Sequence, residues 1–277
     1  NRQRDQTSGQ VAVPLESIHE IAEFLEESGH YAELLRRYRA DPDNRSTWFE
    51  MVFAYWLEDG GVRPAYEQEA NPGSGKTVDF SFQYNGCTYY LELVRVEHSD
   101  EVLAHIEAQR KADPQCRSYE LILRSDHTNQ YFRTAAQTIR LQEKILEKLE
   151  KFGEPTERAL SIIVVDCTNI HGGMLDDEDV RIVAFGKAQR AVWQEYWNEN
   201  RLKGMFEPEF ARRGADELRR KIQAIIFVKA QRPGSLEESF VVVNPALDIA
   251  EKIREVRPFQ VLTHVRVAVN RNTTTSV

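Results

Sequence analysis

The sequence has few cysteines, no long apolar run and no close grouping of histidines. Cys87, Cys116 and Cys167 are odd in number and show no CxxC spacing, which argues against disulfide staples and zinc ligands. We therefore expect buried free thiols in a reducing compartment, and a cytoplasmic protein. No run approaches the roughly 20 apolar residues of a membrane span, and the start lacks the layout of a signal peptide. A membrane partner is not expected.

Basic residues are too few for a general polyanion binder. The net charge of −8 argues mildly against unspecific nucleic-acid binding, because phosphate contacts need lysine and arginine. The charge is uneven, since residues 201–232 carry nine bases against four acids. That stretch is either a solvated helix-and-loop region or a basic surface that faces a polyanion.

What is present is the composition of an ordinary globular protein. Hydrophobic residues make up 41% and charged residues 29% of the 277 residues, enough for a sizeable core. We expect one α/β domain, with a helical extension over residues 1–45, a core over 46–170, an α/β elaboration over 171–269 and a disordered tail over 270–277.

Hydrophobic periodicity and turn residues place the elements. Helices are predicted at 15–25, 31–38, 46–57, 101–112, 132–152, 187–201 and 245–256, and strands at 77–84, 88–96, 119–124, 160–165, 222–229 and 240–243. Ser46 is the expected cap of the third helix. The continuous apolar run at 160–165 is typical of a strand buried on both faces.

The strongest local signal is Asn85-Gly86 between two alternating segments, which predicts a hairpin with a two-residue turn. In that register the numbers of facing residues sum to 171, so Asp79 faces Glu92. Val78 is expected on the face of Phe80. Like charges that face each other repel, and two carboxylates so placed suggest a cation between them.

A third carboxylate, Glu50, is the only charge between Trp48 and Leu57. Helical spacing places it over Phe53, on the apolar side of its helix. A glutamate on a buried face is rare unless it is paired or binds a metal. Glu50 is therefore a metal-site candidate, or it pairs with an arginine or reaches water at the edge of the stripe.

These residues together resemble the PD-(D/E)xK nuclease superfamily, which has the restriction-endonuclease-like fold. The resemblance covers residues 46–166: a helix with Glu50, a strand with Asp79, a strand with Glu92, then strand, helix and strand. It implies an αβββαβ core with a mixed sheet flanked by helices. It also implies a phosphodiesterase that acts on DNA and uses Mg²⁺ or Mn²⁺ bound by Asp79, Glu92 and the Leu93 carbonyl, with Glu50 binding the metal or positioning water.

The sequence departs from that family at two positions. Val94 stands where the motif has lysine, and Val78 stands where it has proline. A lysine from another element would have to supply the missing charge, and the candidates are Lys76, Lys144 and Lys148. Gln142 is expected to turn a polar side chain toward the sheet from the long helix, and with Lys144 it joins the candidate catalytic residues.

The departure leaves two functions open. The first is a nuclease with a substituted lysine. The second is a catalytically inactive nuclease-fold protein that binds nucleic acid or a protein partner. A homodimer is compatible with either function.

Residues 70–77, Ala-Asn-Pro-Gly-Ser-Gly-Lys-Thr, also fit a relaxed nucleotide-binding loop, which would make the protein an NTPase. That loop needs a buried strand before it and a helix after Lys76. The segment after Lys76 has a period of two, which predicts a strand. We therefore expect that Lys76 does not bind nucleotide phosphate.

Overall fold

Helices and strands follow one another from Ile18 to Val265 in the computed structural model. It describes residues 17–98, 100–112, 134–168, 176–186, 203–228, 236, 239–247 and 249–265. The predicted strand at 119–124, the predicted helix at 187–201, Cys116 and the tail at 270–277 lie outside these residues.

The helices of the described part are α1 to α8 in chain order. Their bounds are α1 Ile18–Ser28, α2 Ala32–Ala40, α3 Arg45–Asp59, α4 Asp100–Ala112, α5 Thr134–Leu146, α6 Asp177–Phe185, α7 Ala215–Lys221 and α8 Ala250–Glu255. Two 3-10 turns cover Leu149–Lys151 and Arg257–Val261. No helix of the described residues is both long enough and apolar enough to cross a membrane.

In the described residues seven strands form one mixed sheet in the order β1 to β7, so the protein is α/β as expected. The strands are β1 Ala65–Gln68, β2 Val78–Tyr84, β3 Cys87–Arg95, β4 Ala159–Asp166, β5 Ala224–Val228, β6 Phe240–Val243 and β7 Thr263–Val265. β1, β2 and β3 form an antiparallel meander, and β4 and β5 continue it in parallel with β3. β6 runs antiparallel to β5, and β7 runs parallel to β6.

The predicted hairpin and its register are confirmed. Tyr84 pairs with Cys87, and the ladder continues without a slip to Phe80 and Leu91. Asn85 (φ 46°) and Gly86 (φ 75°) both adopt left-handed backbone, as a two-residue hairpin turn of this kind requires. The predicted facing of Asp79 and Glu92 lies one step beyond these pairs, and Asp79 contacts β3 through its side chain, which accepts from the Leu93 N–H.

Helices cover both faces of the sheet and bury two apolar clusters. On one face α1, α2, α3 and α8 pack over Phe80, Leu91 and Leu93; on the other α5, α6 and α7 pack over Val94 and neighbouring strands. β4 contributes alternate side chains to both clusters, which confirms that it is buried on both faces. The third helix is capped by Asn44, whose side chain accepts from the Thr47 N–H at 3.0 Å, and not by Ser46.

Three other expectations about the hairpin region need correction. Val78 packs in the second cluster, away from Phe80, so the alternation of β2 fails at its first residue. The helix predicted to reach residue 152 ends at Leu146 and is followed by a separate 3-10 turn. Strand β1 was not predicted, because it is a short edge strand exposed to solvent and has no apolar alternation.

A carboxylate and lysine cluster at the hairpin

Glu92 lies in the middle of β3 and its side chain is fully buried. It projects, like Val94, to the face covered by α5, where the surrounding side chains are apolar. A carboxylate removed from water is costly unless charged or hydrogen-bonding partners replace its hydration. The partners of Glu92 therefore define the site.

Two lysines from the segment after α5 bind Glu92. Lys148 Nζ lies 2.8 Å from Oε1, and Lys151 Nζ lies 2.8 Å from Oε2 and 2.7 Å from Oε1. Burial lowers the pKa of Lys148, but the charge of Glu92 and its hydrogen bond outweigh burial and raise that pKa above the ordinary value. The Lys148 ammonium group is therefore charged at neutral pH. Lys148 was a candidate from the sequence, whereas Lys151 was missed; its spacing of three from Lys148 was the available signal.

Asp79 is half-buried at the start of β2. Its Oδ2 accepts a hydrogen bond from the Leu93 N–H at 2.6 Å, which ties the side chain to the residue that follows Glu92. Burial, together with the negative charges of Glu92 and Glu50, raises the pKa of Asp79 to about 7, although the Leu93 N–H and Lys151 act in the opposite direction. The charges of Glu92 and Glu50 thus both act on Asp79.

Glu50 is buried in α3 and has three donors on its carboxylate. Arg37 holds it with two hydrogen bonds of 2.9 and 3.0 Å, and the Tyr66 hydroxyl donates at 2.6 Å. Burial and the charge of Glu50 raise the pKa of Tyr66 above its usual range, so the phenol stays protonated. Of the alternatives for Glu50, the structure shows the pair with an arginine, and the predicted metal-binding role stays a prediction. This pairing joins α2, α3 and the edge strand β1.

The other candidate residues have partners elsewhere. Gln142 is buried, and its Nε2 donates to the carbonyls of Val183 at 3.1 Å and Lys203 at 2.9 Å, so it holds α5 against α6 and the chain beyond it. Lys144 pairs with Glu147 at 2.8 Å on the surface. Neither contact involves Glu92.

The segment that carries the two lysines is held from two sides. Lys221 is buried and donates to the Phe152 carbonyl at 2.8 Å, and Phe152 forms an isolated bridge with Ala70. Lys76 pairs with Glu150 at 2.5 Å. The loop before β2 thus lies along the 3-10 turn. The Ala70–Phe152 bridge and the Lys76–Glu150 pair hold that turn beside the hairpin.

The nucleotide-binding reading of residues 70–77 does not fit this geometry. β2 begins at Val78, directly after the loop, so no helix N-terminus is present at Lys76 to receive phosphates. The preceding strand β1 is an exposed edge strand. The Gly-Lys-Thr string belongs to the turn that leads into the hairpin.

The basic stretch at 201–232 is largely neutralised where it is described. Four of its basic side chains pair with carboxylates, and these are Arg212 with Glu143, Arg219 with Asp216, Arg220 with Glu154, and Lys221 with Glu217. In the described part of residues 201–232, these pairs favour a solvated helix-and-loop region over a continuous basic surface.

The oxygen atoms near Glu92 include the kinds of ligand that a divalent ion takes. Carboxylates and a backbone carbonyl are the oxygen ligands that Mg²⁺ and Mn²⁺ prefer, and Asp79 lies near enough to Glu92 for the charge of Glu92 to raise the pKa of Asp79. In the described residues, no three His, Cys, Asp or Glu side chains gather as a ligand group. Both oxygens of Glu92 are bound to ammonium groups, so the donors suit such an ion only if it takes the place of a lysine.

Comparison with protein-family models, curated proteins and solved structures gave no match. Function is therefore inferred from the chemistry of the site.

Proposed function

We propose that the protein is a Mg²⁺- or Mn²⁺-dependent phosphodiesterase of the PD-(D/E)xK nuclease superfamily that acts on DNA. Part of the element order supports the proposal: α3 precedes the meander β1–β3, and after α4 and α5 the chain returns to β4, which is parallel to β3. Helix α4 is an addition to the αβββαβ order that the resemblance implies. The resemblance places the third strand at 119–124, which lies outside the described residues, whereas in the described part β1 stands before the two carboxylate strands.

One observation carries the proposal. Lys148 and Lys151 place two ammonium groups on buried Glu92, in a strand where Val94 replaces the motif lysine. The family motif places a lysine beside the proposed metal-binding carboxylate, and Val94 removes that positive charge. The chain supplies it from the segment after α5.

The residues then have separate roles. Asp79, Glu92 and the Leu93 carbonyl would hold the metal ion, which when bound lowers the pKa of an attacking water and neutralises charge on the phosphate. Lys148 and Lys151 would stabilise a hydroxide or a phosphate oxygen through their ammonium groups. Glu50 contributes negative charge near Asp79 and keeps α3 in place through Arg37. Gln142 and Lys144, with partners away from Glu92, have no direct role in this proposal.

The test is cleavage of DNA with Mg²⁺ or Mn²⁺, compared with the same reaction in chelator. We expect Asp79→Ala and Glu92→Gln to abolish cleavage, and Lys148→Ala to reduce it by about 100-fold, the size of effect typical of one lost charged donor. Lys144→Ala removes a lysine of α5 that pairs with Glu147 and not with Glu92, and should cleave like wild type. Cleavage that survives in chelator or in Glu92→Gln would refute the proposal.

A second candidate has its own supporting observation. Because both oxygens of Glu92 are already satisfied by lysines, the cluster can serve as a purely structural ion pair in an inactive nuclease-fold protein. Such a protein would bind DNA, measured by fluorescence anisotropy, without cleavage and with the same affinity in Mn²⁺ and in chelator.

A further inference from the structure

The charges of the cluster balance without any bound ion. Asp79 and Glu92 provide two negative charges when both are ionised, and Lys148 and Lys151 provide two positive charges. Both lysines make their contacts directly with Glu92, which has no exposed surface. A divalent cation added to this arrangement would bring two further positive charges to within a few ångströms of the ammonium groups.

We infer, on the basis of the proposed function, that Lys148 and Lys151 are an internal counter-ion that a divalent cation must displace from Glu92. Coulomb repulsion between the ion and two ammonium groups opposes binding as long as they stay on the carboxylate. Once displaced, each ammonium group is free to contact an anion such as a phosphodiester. The lysines therefore weaken metal binding, although they support the chemistry.

The lysine side chains can leave while the backbone stays. Their side chains are 32% and 26% exposed, so part of each long stem borders solvent and the side chain can rotate outward. The turn itself is fixed by Lys221 at the Phe152 carbonyl and by the Lys76–Glu150 pair. Displacement thus requires changes of side-chain rotamer and no movement of the sheet.

Titration calorimetry with Mn²⁺ near pH 8, without DNA, tests this inference. We expect Lys148→Met and Lys151→Met each to bind Mn²⁺ about tenfold more tightly than wild type, because one opposing charge is removed. Lys144→Met is the matched control and should bind like wild type. Glu92→Gln should remove binding.

If a lysine variant is too unstable for calorimetry, thermal unfolding with and without Mn²⁺ measures the same binding. Each variant loses one of the two lysines that contact buried Glu92. It should therefore unfold at a lower temperature than wild type in chelator. Mn²⁺ should raise the midpoint of each variant more than that of wild type.

The outcomes separate this inference from the proposed function. Suppose that wild type cleaves DNA with Mn²⁺, but Lys148→Met and Lys151→Met bind Mn²⁺ no more tightly than wild type. That result would refute the counter-ion inference and leave the nuclease proposal standing. Tighter Mn²⁺ binding by both variants, without any cleavage by wild type, would support the counter-ion and end the nuclease proposal. Absence of Mn²⁺ binding in every protein would overturn both.

Discussion

The substitution Asp79→Asn should stabilise the metal-free protein, and increasingly so as pH rises. Asp79 accepts the Leu93 N–H through a carboxylate oxygen, and the amide oxygen of asparagine can accept the same bond. The substitution therefore removes charge from beside Glu92 and Glu50 with little change in shape.

The magnitude follows from the pKa of Asp79, which is about 7 in the folded protein and 3.8 in a model peptide. A carboxyl with a raised folded pKa binds a proton more tightly in the folded state, so its contribution to stability falls as pH rises from about 3.8 to 7. Asparagine has no such loss. With about 1.36 kcal/mol per pKa unit, the advantage of Asp79→Asn should grow by about 2–3 kcal/mol between pH 5 and pH 8.

The assay is urea unfolding followed by tryptophan fluorescence in chelator, at several pH values in that window. Asp43→Asn removes an exposed carboxyl and should follow the wild-type curve. Equal stability of Asp79→Asn and wild type at every pH would show that the carboxyl is not crowded by Glu92 and Glu50. That result would refute the electrostatic account of the cluster.

Two further predictions concern other parts of the chain. Arg37→Met leaves buried Glu50 without its cation and should lower the free energy of unfolding by about 3 kcal/mol in urea. Arg36→Met, which breaks an exposed pair with Glu33, should leave that free energy nearly unchanged, and equal effects of the two would contradict burial as the cause. The melting temperature of wild type should not rise with Mg²⁺ and ATP, because β2 follows Lys76; a rise that Lys76→Ala abolishes would restore the nucleotide-binding reading.

The sequence predicts the hairpin well because the signal is local. Asn85 and Gly86 adopt the left-handed backbone of the turn, and the pairs from Tyr84–Cys87 to Phe80–Leu91 follow in the predicted register. The buried strand β4 was equally legible from its continuous apolar run. In both cases the residues within a few positions decide the structure.

The partners of the carboxylates could not be predicted in the same way. Arg37 reaches Glu50 from another helix, and Lys151 reaches Glu92 from a turn 59 positions away. Such pairs depend on how the helices pack on the sheet, which local periodicity does not report. Lys151 was also hidden because a helix was expected through residue 152, whereas Leu146 ends it and the 3-10 turn redirects the side chains.

The seven strands lie side by side in the order in which the chain is synthesised. When a strand leaves the ribosome, its earlier neighbour in the sheet has therefore already been synthesised. Lys151 emerges after β3 and before β4, so the carboxylates and their lysines are all present before β5, β6 and β7 exist. The cluster can assemble as an early product of folding, and the later strands widen the sheet on the side away from it.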